Sequence, residues 1–193
     1  MAHALRPRGV NMKLILFLLA FLFLTAPALA DVFDAPCSRY RVPKRLVLAI
    51  AKTESGLDPW CVNIAGKTYR PGSRAGALAI IRQARARGLS HDIGLMQINN
   101  WWLKHLRISP EVALEPRNNA MLGVWILANE IRRHGYNWTA VGAYHSPTPA
   151  RQRMYARSLH TNTEKPDRGK PTQWKRLRGI RMSHSILTNI KIQ

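Results

Sequence analysis

The stretch Val42-Pro-Lys-Arg-Leu-Val-Leu-Ala-Ile-Ala-Lys-Thr-Glu-Ser-Gly56 decides the fold, because its pattern predicts one complete helix with both ends marked. Pro43 suits the first helical position, where a missing N–H group does no harm. Gly56 suits the residue just past the helix end, where a positive φ is needed. Apolar side chains recur at helical spacing and predict one buried stripe: Val47, Ile50 and Ala51.

Glu54 lies on this same stripe, four residues after Ile50 and seven after Val47. A carboxyl group at the end of an apolar face is unusual, because carboxylates are rarely buried without a partner. Burial disfavours the charged form of a carboxyl group, and a general acid must hold its proton. Glu54 is therefore a candidate catalytic acid. The alternative is that it lies at the edge of the stripe and points to water.

Length and charge predict a single domain with an appended segment and an anionic partner. The chain has 193 residues, and its 46% of hydrophobic residues can form an ordinary core. Its formal net charge of +20 is far from ordinary. Partners that fit this charge are a cell-wall polymer, a membrane surface or nucleic acid.

Residues 1–30 have the pattern of a secretory signal peptide. Three basic residues precede or begin the apolar run 14–24, and the small residues Ala28 and Ala30 provide a cleavage site. The run is short for a membrane span. We therefore expect export, with an uncleaved anchor as the alternative; Met12 would serve equally well as the start.

Cys37 and Cys61 are the only cysteines, and they lie on either side of the Glu54 helix. An exported chain meets an oxidising compartment, so the pattern favours a disulfide between them, with two free thiols as the alternative. Two cysteines alone cannot form a structural zinc site. The histidines show no metal-ligand spacing, so we expect no metal and no cofactor.

The remaining pattern predicts an all-α fold with at most a small β-hairpin, the hairpin falling within residues 63–72. Further helices are indicated from Ser73 to Gly88, from Pro116 to His134, and over residues 150–160, where Met154 and Leu159 are expected to face the body. We assign residues 31–160 to one domain. Residues 161–193 are rich in Lys and Arg and are predicted to be a flexible basic tail.

The segment His91-Asp-Ile-Gly-Leu-Met-Gln-Ile-Asn99 mixes polar and apolar residues without a clear period and is followed by Trp101 and Trp102. An amide among apolar residues next to tandem tryptophans favours a groove wall that stacks on a sugar or a base. The alternative is that the two tryptophans belong to the core.

Three motifs, in this order along the chain, carry a family resemblance: Glu54-Ser-Gly56, Gly94-Leu-Met-Gln-Ile-Asn99, and Ala143-Tyr-His145 after a long helix. Together they resemble the lytic transglycosylases of the goose-type lysozyme-like superfamily. The similarity is greatest to the small kind that accompanies conjugation, type III and type IV secretion, and pilus assembly. It covers about residues 40–160 and implies a lysozyme-like transglycosylase domain.

The resemblance also implies a role for each matching residue. Glu54 would be the single acid/base, and Ser55 would orient it or the substrate's N-acetyl group. Met96 and Gln97 would line the sugar groove, and Asn99 would support the loop that carries them. Tyr144 would make a hydrogen bond near the Glu54 carboxyl. His145 departs from the pattern, because many relatives have Asn at this position; it is kept as a candidate substrate-binding residue.

The activity implied is cleavage of peptidoglycan glycan strands in the periplasm of a Gram-negative bacterium, with a 1,6-anhydro product and components of a trans-envelope machine as partners. One competing interpretation is a hydrolytic lysozyme that uses Asp92 or Asp58 to position water. Another is a non-catalytic glycan-binding scaffold. Nucleic-acid binding is disfavoured, because the basic residues are spread over several helices and the tail without a recognised DNA-binding module. Membrane contact is expected only through the signal peptide or the tail.

Overall fold

The computed structural model describes residues 32–162, so the predicted signal peptide and nearly all of the basic tail lie outside the described residues. The described part is mostly helical, as predicted. Its helices are α1 (Asp34–Tyr40), α2 (Lys44–Ser55), α3 (Arg74–Ala86), α4 (Asn100–Leu106), α5 (Pro110–Ala113), α6 (Pro116–His134), α7 (Trp138–His145) and α8 (Pro149–Asn162). None of them is long and apolar enough to cross a membrane.

A four-stranded antiparallel sheet lies between the helices, with the strand order β2-β1-β3-β4. The strands are β1 (Val62–Ile64), β2 (Lys67–Tyr69), β3 (His91–Ile93) and β4 (Ile98–Asn99). The predicted hairpin is β1–β2. The other two strands were not predicted, because two or three residues are too few to show the alternating pattern of a strand.

Helix α2 has the predicted stripe and the predicted end. Val47, Ile50 and Ala51 are fully buried, and Gly56 adopts φ 66°, the left-handed conformation that ends the helix. The start differs by one residue, because Pro43 precedes the helix and Lys44 opens it. The stripe therefore anchors α2 in the core up to the turn that carries Glu54.

Helix α6, which the sequence predicts from Pro116 to His134, is the central helix of the core. It packs against α1, α5 and α7, and α7 in turn packs against α8. Eleven of its residues are buried, including Leu122, Leu127 and Ile131. The last helix, α8, does not bury the side that was predicted. Leu159 is buried as expected, but Met154 is 71% exposed and Tyr155 is buried instead.

The disulfide that the pattern favours is not formed, and the structure has the alternative of two free thiols. Both are free and buried. The thiol of Cys37 lies near Lys44 at the helix start, and burial raises its pKa from 9.0 to about 11. Cys61 lies near Glu54 at the helix end.

Candidate active site

An open groove of about 1110 Å³ is lined by residues of the sheet and of helices α2, α4, α6, α7 and α8. Of the seven residues predicted at the site, five line it: Glu54, Gln97, Asn99, Tyr144 and His145. Ser55 and Met96 do not. The sequence motifs are therefore brought together as expected, but two side chains take other roles.

Glu54 occupies the last turn of α2 and reaches the groove with only 12% of its side chain exposed. Its Oε1 atom lies 3.3 Å from Nδ1 of His145. The helix end is held by Arg70, whose guanidinium donates to the Ser55 carbonyl at 2.6 Å and pairs with Asp58 at 3.2 Å. A buried helix and a capped last turn thus fix one carboxyl group at the groove.

Ser55 is fully buried, which agrees with the first of its two predicted roles, orienting Glu54, and not with a contact to the substrate's N-acetyl group. Its hydroxyl oxygen lies 2.8 Å from the Leu95 carbonyl oxygen and 3.0 Å from that of Ala51. Ser55 therefore ties the end of α2 to the loop between β3 and β4, and it positions Glu54 through the backbone.

Met96 is also fully buried, so its side chain does not line the sugar groove as predicted. The side chain packs on Gly123 of α6 so closely that a Cβ atom there would lie 2.4 Å from the Met96 Cβ. Its backbone N–H donates to Asn119 Oδ1 at 2.8 Å, and its carbonyl accepts from the Tyr144 hydroxyl at 2.6 Å. Through these contacts Met96 holds the loop between β3 and β4 against α6 and α7.

Gln97 and Asn99 lie at the groove as predicted and shape the loop around it. Gln97 adopts φ 45° and its amide donates to the carbonyls of Gly94 at 2.8 Å and Cys61 at 3.1 Å. Asn99 caps α4 through Oδ1 and donates from Nδ2 to Asp92 at 2.7 Å. The predicted support role of Asn99 agrees with these bonds.

The Tyr144 hydroxyl donates to the Met96 carbonyl rather than to Glu54. Burial, followed by the negative charges of Glu54 and Asp92, raises the pKa of this phenol well above its usual 10.0. Tyr144 therefore stays protonated and lies close enough to Glu54 for the two to interact electrostatically. The predicted hydrogen bond near the Glu54 carboxyl is therefore made instead to Met96, in the loop between β3 and β4.

Tyr155 of α8 is a site residue that the sequence analysis missed. The residue is 7% exposed, and its ring stacks on the ring of His145. Burial, followed by the nearby Glu54 carboxylate, raises the pKa of this phenol. Burial therefore keeps the Tyr155 phenol protonated beside His145. The signal that could have found it is the spacing of Tyr155 and Leu159, four residues apart on one helix face.

Trp101 gives the groove an exposed aromatic surface. It is 57% exposed and stacks on His105, with ring centroids 4.9 Å apart and an interplanar angle of 8°. Trp102 also lines the groove but packs edge-on against Trp125 at 5.7 Å. Trp101 thus offers a flat face of the kind that stacks on a sugar ring, and Trp102 packs edge-on against it.

The remaining charges of the groove are largely paired with one another. Glu130 of α6 pairs with Arg133 at 3.3 Å and with His134 at 3.4 Å. Asp92 is hydrogen-bonded by Asn99, and burial raises its pKa above the usual 3.8. Within residues 32–162, no cluster of three or more His, Cys, Asp or Glu side chains could hold a metal ion.

A mostly helical domain whose groove is lined by a partly buried glutamate and an exposed tryptophan is typical of glycan-cleaving proteins of the lysozyme-like class. The family model described as "Transglycosylase SLT domain" matches residues 31–165. The chain belongs to this family, whose members are lytic transglycosylases acting on peptidoglycan.

Two relatives support the assignment. "Invasion protein IagB" of Salmonella typhimurium (strain SL1344) is 30% identical over 146 residues, which make up 72% of this chain and 78% of the relative. "Protein IpgF" of Shigella flexneri is 30% identical over 139 residues, which make up 68% of this chain and 78% of the relative. The similarity thus extends over most of both chains.

Proposed function

We propose that this protein cleaves the β-1,4 bond between N-acetylmuramic acid and N-acetylglucosamine and leaves a 1,6-anhydro end, with Glu54 as the single acid/base. Glu54 donates its proton to the glycosidic oxygen while the substrate's 2-acetamido group assists departure of the leaving sugar. The resulting carboxylate then takes the proton of the muramic C6 hydroxyl, whose oxygen closes onto the anomeric carbon. No water is consumed, and Glu54 ends as it began.

The observation that supports this proposal is that each of the other acidic groups near Glu54 has a partner of its own. Ordinary glycoside hydrolysis uses two carboxyl groups on either side of the bond. Here Glu130 contacts Arg133 and His134, and Asp58 is paired with Arg70 and does not line the groove. Asp92 lines the groove and accepts a hydrogen bond from Asn99, so it is the residue on which a hydrolytic lysozyme would depend.

The setting we propose is the periplasm of a Gram-negative bacterium, after export directed by residues 1–30. Local opening of the wall for a secretion, conjugation or pilus apparatus is the corresponding purpose. This purpose is supported by the resemblance of the three motifs to apparatus-associated transglycosylases and by the name of one relative, an invasion protein. The partners would be peptidoglycan strands and components of that apparatus.

The experiment compares mature wild type with Glu54→Gln on purified sacculi and determines the mass of the released muropeptides. We expect anhydro products from wild type and a loss of at least about 10²-fold in the variant, which keeps the shape but not the proton. Reducing ends one water heavier would indicate a lysozyme. Equal release by both proteins would exclude Glu54 as the catalyst, and no release by either would favour a scaffold.

A further inference from the structure

A second cavity of about 530 Å³ lies on the other side of β3 and α4 from the groove, and we call it the back pocket. Along β3, Asp92 lines the groove and His91 lines the back pocket, because successive side chains of a strand point to opposite faces. Along α4, Trp101 lines the groove and Lys104 lines the back pocket. The two cavities share no lining residue, so the back pocket is separate from the site of Glu54.

Three cationic side chains line the back pocket, namely Arg85, Lys104 and Arg107, and none of its lining residues is acidic. Among residues 32–162, none of the three cations forms an ion pair. Arg85 and Lys104 lie in the last turns of α3 and α4, where the helix dipole favours a cation. That effect explains each cation singly, but it does not bring three of them to one cavity without an acid. The back pocket therefore has the charge of an anion-binding site.

His91 adds a buried polar atom to the wall of the back pocket. The residue is 1% exposed, and its Nδ1 atom lies 2.9 Å from the Leu89 carbonyl oxygen. A carbonyl oxygen only accepts, so Nδ1 carries the hydrogen, and Nε2 of the neutral ring is an acceptor. Within residues 32–162, this Nε2 atom has no hydrogen-bond partner. Buried polar atoms are nearly always hydrogen-bonded in folded proteins, so a hydroxyl group on a ligand would supply the donor that His91 lacks.

We propose that the back pocket binds an organic phosphate monoester, through its phosphate at the three cations and through a hydroxyl group, on the phosphate or on the carbon part, at His91. A phosphate monoester carries a charge of about −1.5 to −2 at neutral pH and suits three cations better than a single carboxylate does. Guanidinium groups such as those of Arg85 and Arg107 bind phosphate oxygens in a bidentate manner.

The size and the remaining wall of the back pocket favour a ligand with a carbon part over inorganic phosphate. Its volume lies in the range of small-molecule sites, about 300–1,000 Å³. Apolar side chains complete the wall, among them Leu89, Leu103 and Ile108. This site goes beyond the proposed cleavage of peptidoglycan, because it uses none of the residues of the groove.

The test titrates the mature protein with glucose 1-phosphate and with inorganic phosphate in a calorimeter. We expect saturable binding of one glucose 1-phosphate per chain, tighter than that of inorganic phosphate. The double variant Arg85→Gln/Lys104→Gln should bind the ester at least about tenfold more weakly, because it loses two charge-assisted contacts. The matched control Arg45→Gln/Arg82→Gln removes two exposed cations of α2 and α3 that line neither cavity, and it should bind within about twofold of wild type.

Two calorimetric results would overturn the proposal. One is the absence of saturable binding of glucose 1-phosphate. The other is equal weakening by the two double variants, which would show a general effect of net charge. Neither measurement uses activity on peptidoglycan, so the back pocket and the proposed function of Glu54 stand or fail separately.

Nuclear magnetic resonance of the histidine rings locates the ester without any substitution. Saturation with glucose 1-phosphate should shift the ring resonances of His91 and leave those of His145 in the groove unchanged. A shift of His145 alone would place the ester in the groove and overturn the proposal.

Vesicles distinguish a membrane-borne phosphate monoester from a soluble one. Phosphatidylcholine vesicles containing phosphatidic acid, a monoester, are compared with vesicles of equal surface charge containing phosphatidylglycerol, a diester. If the natural source is a lipid, wild type and the control should prefer phosphatidic acid, and Arg85→Gln/Lys104→Gln should lose this preference. Pocket-dependent binding of glucose 1-phosphate without a preference between the vesicles would assign the site to a soluble ester.

Discussion

Asp92 is the residue whose replacement separates the two possible chemistries of the groove. We expect Asp92→Asn to release anhydro products at a rate within about threefold of wild type, because the proposed reaction needs no second carboxylate. The amide keeps the oxygen that accepts from Asn99. Loss of activity of about 10²-fold or more would instead support a hydrolytic lysozyme with Asp92 as its second carboxyl group.

The same substitution has a consequence for stability, with a sign set by the raised pKa of Asp92. The folded protein binds this proton more tightly than the unfolded chain does. The carboxyl group therefore stabilises the fold below its ordinary pKa of 3.8, and this contribution is lost as pH rises. Thermal unfolding should show a higher Tm for Asp92→Asn than for wild type at pH 7, with the difference shrinking toward pH 4.

Single residues also show how far sequence motifs predict a site. Glu54, Gln97 and Asn99 line the groove as predicted, because each lies in a motif with few possible arrangements. Ser55 and Met96 belong to the same motifs, yet their side chains are buried. A motif names the residues near a site, but which of them face the groove depends on the loop backbone, here on the left-handed conformation at Gln97.

At the scale of elements, the loop of the site depends on the packing of α6 through Asn119. This fully buried amide donates to the carbonyls of Ile93 at 2.9 Å and Ala113 at 3.0 Å, and accepts from Met96 N–H at 2.8 Å. We expect Asn119→Leu to lower the free energy of unfolding by more than about 3 kcal/mol, because three buried backbone groups lose their partners. Urea unfolding measures the change.

Asn129→Leu is the matched control, since Asn129 lies on the same helix and its amide bonds within that helix, donating to the Trp125 carbonyl and accepting from the exposed Arg132 guanidinium. Its cost should stay below about 1 kcal/mol. Equal destabilisation by the two variants would show that the loop does not depend on Asn119. A folded Asn119→Leu protein should also lose activity, because the anchored carbonyl of Met96 holds Tyr144.

The elements differ in how readily the sequence predicts them, for a physical reason. The helices α2, α3 and α6 are long enough to show a stripe, and their ends carry Gly56, Ser73 and Gly135. Strands β3 and β4 have three and two residues, and their pairing is set by a neighbouring strand rather than by any local pattern. Local periodicity cannot reveal a strand whose pairing partner is distant in sequence.

At the scale of the whole molecule, the net charge of +20 predicts attraction to an anionic substrate polymer. Part of this charge follows residue 165, the last residue of the family match, where seven Lys and Arg accompany one acid. We expect a chain shortened after Lys165 to release muropeptides from sacculi several-fold more slowly than the full-length protein at low salt. The charge should act on capture of the polymer and leave the chemistry at Glu54 unchanged.

Salt provides the decisive measurement, because the Debye length shrinks from about 30 Å at ~0.01 M to about 3 Å at ~1 M. The difference between the two chains should therefore disappear as salt rises. On short soluble glycan fragments, which offer little charge to capture, both chains should react equally at every salt concentration. A difference on sacculi that persists at ~1 M salt would show that the segment after residue 165 makes a specific contact with the wall rather than a long-range electrostatic one.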